Sequence, residues 1–363
     1  MSLRRAQTSR RPKDRDFVET KEGFFFCLIG YLHPPGRYTA YLKYTPADAC
    51  DELSRASAKW ARGDVFFRRE LPYYHVRNVL KTLSWLAEHH PQYVWFDPVR
   101  NLTFSFIPKE TVVKYYIPEE RLAEILADPH DPLEKEVKAL VELLTKEADI
   151  PHEAFGITGS VLLNLHNPAF SDIDLLVYGK KNALKVKRAV EALKEGFLQP
   201  LPPARQEQWR LDVAERFALP PEDVAYLEAR RWNYFMYQDR YVSIHPTRRD
   251  DEITEEHGDR RSKSVSVATI EATVVDATES LFLPAVYSLT DVKVVEACPE
   301  LAEGGVPFKI QELHSFEGLY GQIADPGDRI LARGEVEEVN GESYRLVVGS
   351  ASSPDGGFVR PLK

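Results

Sequence analysis

The stretch Phe155-Gly156-Ile157-Thr158-Gly159-Ser160, followed twelve residues after its serine by Asp172-Ile173-Asp174-Leu175-Leu176-Val177, decides how the rest of this chain is read. Phe155 to Thr158 is a short apolar segment with the length of a strand. Gly159-Ser160 then opens a helix over Val161 to His166, which Asn167-Pro168 ends. Asp172 to Tyr178 reads as a second strand. Its period-two alternation sends the Asp172 and Asp174 carboxylates to one face and Ile173 to the other. Two carboxylates side by side repel one another unless a cation or protons neutralise them. Hard oxygen ligands of this kind suit Mg²⁺, or Mn²⁺, with phosphate oxygens completing the shell. Glycine lets a phosphate approach the backbone, amides at a helix N-terminus attract anions, and the Ser160 hydroxyl adds a donor. A phosphate cradle therefore faces a metal-binding pair, the arrangement that in-line displacement at phosphorus needs.

Each part alone has a plainer reading. Gly-Ser before a helix is ordinarily a cap, and Asp-x-Asp is ordinarily a solvated strand edge. Their order and spacing carry the argument. Basic residues nearby would hold a triphosphate. Lys180 and Lys181 follow the acidic strand at once, although the helix they begin would also show them to water. Arg230 and Arg231, with Trp232 and Tyr234, form a basic and aromatic cluster that suits a nucleobase or a single strand. Packing at a helix end, with the arginine stems lying along apolar surface, is the competing reading.

Outward from this centre, Leu133, Val137, Leu140, Val141 and Leu144 predict an amphipathic helix before the apolar segment. Gly179 turns the chain into a helix with a buried stripe of Val186, Val190, Leu193 and Phe197. A polar helical region runs from Trp209 to Trp232 with a break at Pro220-Pro221. Toward the start, Phe24 to Tyr31 and Tyr38 to Tyr44 predict a hairpin around His33-Pro34-Pro35-Gly36. A helix is expected through Val76, Val79, Leu80, Leu83 and Leu86. From about Ser264 the texture turns β-rich, which suggests a small barrel or open sheet. The expected organisation is a basic disordered arm over 1–20, a mixed α and β domain over 21–130, the central domain over 131–262, and a β-rich domain over 263–363.

The chain has 363 residues, of which 43% are apolar and 28% charged, enough for two or three domains. No run approaches the roughly 20 apolar residues of a membrane helix, so no membrane partner is expected. Phe24 to Ile29 has strand length and no cleavage site follows it, which argues against a signal peptide. Cys27, Cys50 and Cys298 are widely spaced and fit no metal pattern, so a reducing cytoplasm is the expected setting. A net charge of −9 excludes a protein that coats nucleic acid uniformly. The first fifteen residues nonetheless hold Arg4, Arg5, Arg10, Arg11, Lys13 and Arg15 against Asp14, a solvated arm or a tether to phosphates.

The Gly159-Ser160 and Asp172-Ile173-Asp174 stretches together resemble the signature of the polymerase-beta-type nucleotidyltransferase superfamily. Across most of its length the chain also resembles an archaeal group of nucleotidyltransferase-domain proteins of unassigned substrate. That likeness rests on Leu32-His33-Pro34-Pro35-Gly36-Arg37, Ala272-Thr273-Val274-Val275-Asp276, Phe282-Leu283-Pro284, Tyr287 and Gly334-Glu335-Val336-Glu337. The resemblance implies an α+β fold: a nucleotidyltransferase-like mixed sheet with flanking helices, between an α+β N-terminal domain and a barrel-like C-terminal one. It implies Mg²⁺ or Mn²⁺ on Asp172 and Asp174, nucleotide phosphates at Gly159 and Ser160, and transfer of a nucleoside monophosphate from an NTP such as ATP. The acceptor would be an RNA, a protein or a small molecule. The superfamily's third carboxylate would fall near Ser243 on the strand Arg240 to Pro246, and no acid stands there. Asp239, or Glu271 or Asp276 on the following strand, would substitute, or His245 would serve as base. The alternative is a nucleotide- or RNA-binding protein that kept the cradle and lost the third acid.

Overall fold

The computed structural model describes residues 10–49, 60–71, 75–297, 309–350 and 356–362. Arg4, Arg5, Cys50 and Cys298 lie outside those residues. The fold mixes helices with several sheets, as the α+β reading expects. None of its described helices is long and apolar enough to cross a membrane. The chain forms two compact units, each discontinuous in sequence. One comprises 1–72, 107–203 and 231–254, and the other 73–106, 204–230 and 255–363. The segments expected as separate domains at 21–130 and 131–262 are each divided between the two.

The first unit holds two sheets. In one, six strands run in the order Trp60–Arg62, Val65–Arg69, Arg37–Pro46, Phe25–Leu28, Phe17–Thr20 and Val112–Tyr116. The expected hairpin is present, with Phe25–Leu28 antiparallel to Arg37–Pro46. The arm expected to be disordered over 1–20 is built into this unit from Arg10 onward. Arg10 pairs with Asp16 and Glu119, Lys13 pairs with Asp250, and Phe17–Thr20 is a central strand. The fully buried Asp16 carboxylate explains the order: the Arg10 head completes an ion pair that the fold would otherwise leave open.

The second sheet carries the site. Its order is Leu198–Gln199, Tyr234–Tyr237, Arg240–Thr247, Ile173–Tyr178 and Phe155–Ile157. Ile173–Tyr178 is parallel to Arg240–Thr247 and antiparallel to Phe155–Ile157. Helix Pro132–Ala148 opens on Asp131, whose side chain caps the Glu134 amide, and it buries the predicted stripe from Leu133 to Leu144. Helix Lys180–Leu193 buries Val186, Val190 and Leu193 but stops before Phe197, which is 69% exposed. The stripe was extended one turn too far because Lys194 to Gly196 leave the helical path.

In the other unit, helices Pro203–Phe217 and Pro221–Ala229 pack Val213, Phe217, Val224 and Leu227 with the interior of a β-barrel. Strand Ser262–Asp276 pairs with both Ala285–Ala297 and Arg329–Val339. Ile310–Ser315 pairs with Ala285–Ala297 and lies parallel to Ser343–Val348, which returns to Arg329–Val339. The five strands thus close a ring, so the barrel reading of the last hundred residues holds. Arg260, Arg329, Arg333 and Arg345 each pair with a glutamate on this unit.

Candidate functional site

The site lies where the first unit's second sheet meets the bend at Gly159. The Thr158 amide donates to the Asp174 carbonyl at 2.9 Å, so the bend follows directly from the pairing of the two strands. Gly159 has φ of +68°, and a Cβ there would stand 2.5 Å from Asp174 Oδ2. Only glycine allows both that dihedral and that approach. The helix after the bend is a single turn, Gly159–Leu162, shorter than the Val161 to His166 reading. One turn adds little macrodipole, so side chains must supply most of the positive field here.

Asp174 is half-buried on its strand, while Ile173 and Leu175 point into the core. Asp172 is exposed and sits one residue before the strand begins. In the parallel register Asp174 lies directly opposite Ser243. The Ser243 hydroxyl donates to Asp174 Oδ1 at 2.5 Å and lies 2.9 Å from His245 Nε2. With a neutral imidazole the chain of donors runs from His245 Nε2 through Ser243 Oγ to the Asp174 carboxylate. Burial, and then Arg15, Lys43 and Arg231 nearby, push the His245 imidazole well below its ordinary value. Alternation along Arg240–Thr247 puts Tyr241 on the same face as Ser243 and His245. The Arg231 guanidinium lies 3.8 Å from the Tyr234 ring centroid, and Tyr234 packs on both Tyr241 and His245. Burial and the neighbouring Tyr234 push the Tyr241 phenol up, against the pull of Arg231.

The structure thus brings together Gly159, Ser160, Asp174, Ser243, His245, Tyr234, Tyr241 and Arg231, with Asp172 exposed one residue before the strand of Asp174. It places other expected residues elsewhere. Lys180 and Lys181 begin the helix at the far end of the acidic strand, six residues beyond Asp174, or about 20 Å at strand rise. The Lys180 amide donates to Glu252 there. Arg230 belongs to the other unit and pairs with Asp325 and Asp328. Glu271 is on the barrel and pairs with Arg329. Asp239 is exposed in the turn before Arg240, four residues short of Ser243 and roughly 13 Å from it along the strand. Tyr241 and Lys43 were not foreseen, and Arg15 was counted only as part of the basic arm. Period two on the Arg240–Thr247 strand would have found Tyr241, but nothing local marks Arg15 or Lys43.

One other ligating cluster occurs among the described residues. Asp131, Glu134 and His166 bring donor atoms within 4.8 Å of one another. Its charges are already matched. His166 Nε2 lies 2.7 Å from Asp131, Asp131 caps the Glu134 amide, and Glu134 pairs with Arg121. These contacts describe a helix-capping network.

Comparison with known proteins shows what this chain is similar to. The nucleotidyltransferase domain family matches residues 136–231, a span that contains Gly159, Ser160, Asp172 and Asp174 and ends before Ser243. Domains of this family generally use divalent metals. No solved structure matches the chain. An uncharacterised protein of the archaeon Methanocaldococcus jannaschii is 30% identical over 357 residues, covering 95% of this chain and 98% of its own length. That likeness over nearly the whole of both chains makes this protein a member of the same family as the archaeal relative, and within it residues 136–231, which carry the Gly159 and Asp174 bend, match the nucleotidyltransferase domain.

Proposed function

We propose that the protein moves a nucleoside monophosphate from an NTP to an acceptor hydroxyl, with a divalent cation held by Asp172 and Asp174. The reading is carried by the close approach of Gly159 to Asp174, which admits no side chain and sets the backbone of the bend against the carboxylate. The donor set fits Mg²⁺ or Mn²⁺: two carboxylates, with the Ser243 hydroxyl as a neutral oxygen beside them. When bound, the cation polarises the phosphoryl oxygens and offsets the leaving pyrophosphate. Ser160 donates to a phosphate, and Arg231 offsets its charge. With a cation on Asp174, the Ser243 hydroxyl proton would turn toward Nε2 of a His245 ring protonated on Nδ1, and His245 would then take the acceptor's proton through Ser243 in place of the third carboxylate. Burial and the nearby cations keep its imidazole neutral at pH 7, with one unprotonated ring nitrogen available for that role.

Ser243 also supports a second reading. A neutral hydroxyl where the superfamily keeps an acid suits a protein that holds nucleotide and metal without transferring them. One experiment separates the two. Each labelled NTP is incubated with Mg²⁺ and total RNA or cell extract, with an Asp172→Ala/Asp174→Ala protein beside it. Label transferred by the wild type alone supports the transferase, and His245→Gln then lowers the rate about 10²–10⁴-fold with binding intact. Metal-dependent binding without transfer supports the second reading. Absence of nucleotide binding by the wild type removes both.

A further inference from the structure

Asp172 and Asp174 must keep a fixed separation if one cation is to take an oxygen from each, yet only Asp174 belongs to the sheet. The parallel pairing begins at Ile173 with Val242, one residue after Asp172. Just ahead of that point the chain is held by a side chain. Carried two residues back, the same register sets Arg240 beside Ser171. The Arg240 guanidinium donates to the Ser171 carbonyl at 3.1 Å and to the Pro168 carbonyl at 2.9 Å. It thus satisfies backbone acceptors that the ladder leaves outside. Its other edge meets Glu136 of helix Pro132–Ala148, with Nε 3.0 Å from one carboxylate oxygen and Nη2 3.3 Å from the other. Ser171 is buried, and its other polar groups are engaged as well. The Ser171 amide donates to the Asn167 carbonyl at 2.9 Å, and the Asn167 amide donates to the Ser171 hydroxyl at 2.9 Å. Residues 167–171 are therefore a closed loop whose last residue, next to Asp172, is anchored by Arg240. Alternation puts Arg240 on the face opposite Ser243 and His245, so it acts on the carboxylates through this loop and not by contact.

We propose that Arg240, oriented by Glu136, is the positioning residue that holds Asp172 at the cation site, its fork on the Pro168 and Ser171 carbonyls fixing the loop and with it the spacing of the two carboxylates. This rests on the metal reading of Asp172 and Asp174. The position calls for arginine. Two carbonyls and both oxygens of a carboxylate take four N–H donors held in one plane, which an ammonium with three donors does not match. Glu136 matters because a guanidinium largely withdrawn from water, with its side chain 14% exposed, needs an opposite charge beside it. Cation affinity is thereby set in part by two residues that never touch the cation.

Mn²⁺ affinity of the full chain, followed by the relaxation of water protons, tests the assignment in a double-mutant cycle. Arg240→Gln should weaken binding about tenfold or more, the scale on which groups that orient a metal ligand act. In an Asp172→Asn background the same substitution should change the affinity by less than about twofold, because the ligand it positions is already gone. Hydrogen exchange on the metal-free protein gives a second readout. The Ala169 and Ser171 amides, which donate to Asn167, should lose protection in Arg240→Gln while those of strand Ile173–Tyr178 keep theirs. Should Arg240→Gln fail to fold, Glu136→Gln keeps the arginine but loosens it, and it should show the same pattern with a smaller loss. An Arg240→Gln protein that folds and binds Mn²⁺ as the wild type does would overturn the proposal. So would an equal loss with and without the Asp172 carboxylate, the mark of general loosening. A wild type whose Mn²⁺ affinity is indifferent to Asp172→Asn would instead sink the metal reading on which the proposal rests.

Discussion

Ser243 stands directly opposite Asp174 in the parallel register, and its hydroxyl donates to the Asp174 carboxylate at 2.5 Å. That position is where an acid would complete a three-carboxylate metal site, since neighbouring strands lie about 4.8 Å apart. Ser243→Asp should therefore place a second charge against Asp174. Without metal, repulsion should lower the melting temperature by several degrees, and Mg²⁺ should restore it. The cation concentration needed for nucleotide binding should fall about tenfold, because ligand charge sets affinity. Melting curves with and without Mg²⁺ check this. Identical curves in both buffers would show that position 243 does not face the metal.

Gly159 gives a sharper test, because two independent restrictions meet there. Alanine would have to adopt φ near +68° and put its Cβ 2.5 Å from Asp174 Oδ2. The dihedral alone costs about 1–3 kcal/mol, and the clash must push the carboxylate aside. Gly159→Ala should lose both stability on that scale and metal-dependent nucleotide binding. Gly196→Ala, at a position where a Cβ meets nothing within 4 Å, is the matched control and should retain binding. Calorimetric titration of both variants with an NTP and Mn²⁺ distinguishes the outcomes. Binding by the Gly159 variant at wild-type strength would remove the bend from the site.

The bend and the acidic strand were legible because their evidence is local. Gly159-Ser160 and the alternation of Asp172, Ile173 and Asp174 need only a few neighbouring residues to be read, and the place opposite Asp174 was legible as Ser243. What was illegible depends on distant pairing. Arg10 and Asp16 look like part of a charged tail until Glu119 and Tyr115, about a hundred residues later, close around them. The same holds for Arg15, whose carbonyl meets Thr158 across 143 positions. Lys180 and Lys181 misled for a different reason. They are close to Asp174 in sequence, but an extended strand separates its two ends by about 3.3 Å per residue. The division into two units was hidden because each is assembled from three separate stretches.

Metal binding should discriminate between the two carboxylate clusters of the first unit. The Asp174 carboxylate accepts from the neutral Ser243 hydroxyl, whereas the Glu134 carboxylate of the other cluster pairs with the Arg121 cation, which offsets its charge. Mn²⁺ affinity, followed by the relaxation of water protons, should fall about tenfold or more in Asp174→Asn. His166→Gln should leave it unchanged. The second variant should instead lose about 1 kcal/mol of stability, because His166 steadies the Asp131 cap of helix Pro132–Ala148. The opposite pattern of affinities would move the metal to the capping cluster.

The other unit carries a pH dependence of its own at Glu317. Burial pushes this carboxyl from 4.5 up to about 7, against the Val76 amide that donates to it at 3.0 Å and the Arg216 charge nearby. The folded protein therefore holds this proton where the unfolded chain has already lost it. Below pH 4.5 both states are protonated and the group's contribution is fully present. Between 4.5 and about 7 the folded state binds more protons, so stability falls as pH rises, by about 1.4 kcal/mol per pH unit. The loss totals roughly 3 kcal/mol and levels off above the folded value. Glu317→Gln keeps an oxygen for the Val76 amide and removes the titration. Urea midpoints at pH 5 and pH 8 should therefore differ less in the variant, which should be the more stable protein at pH 8. If the two proteins lose stability equally across that range, the buried carboxyl is not the group that titrates.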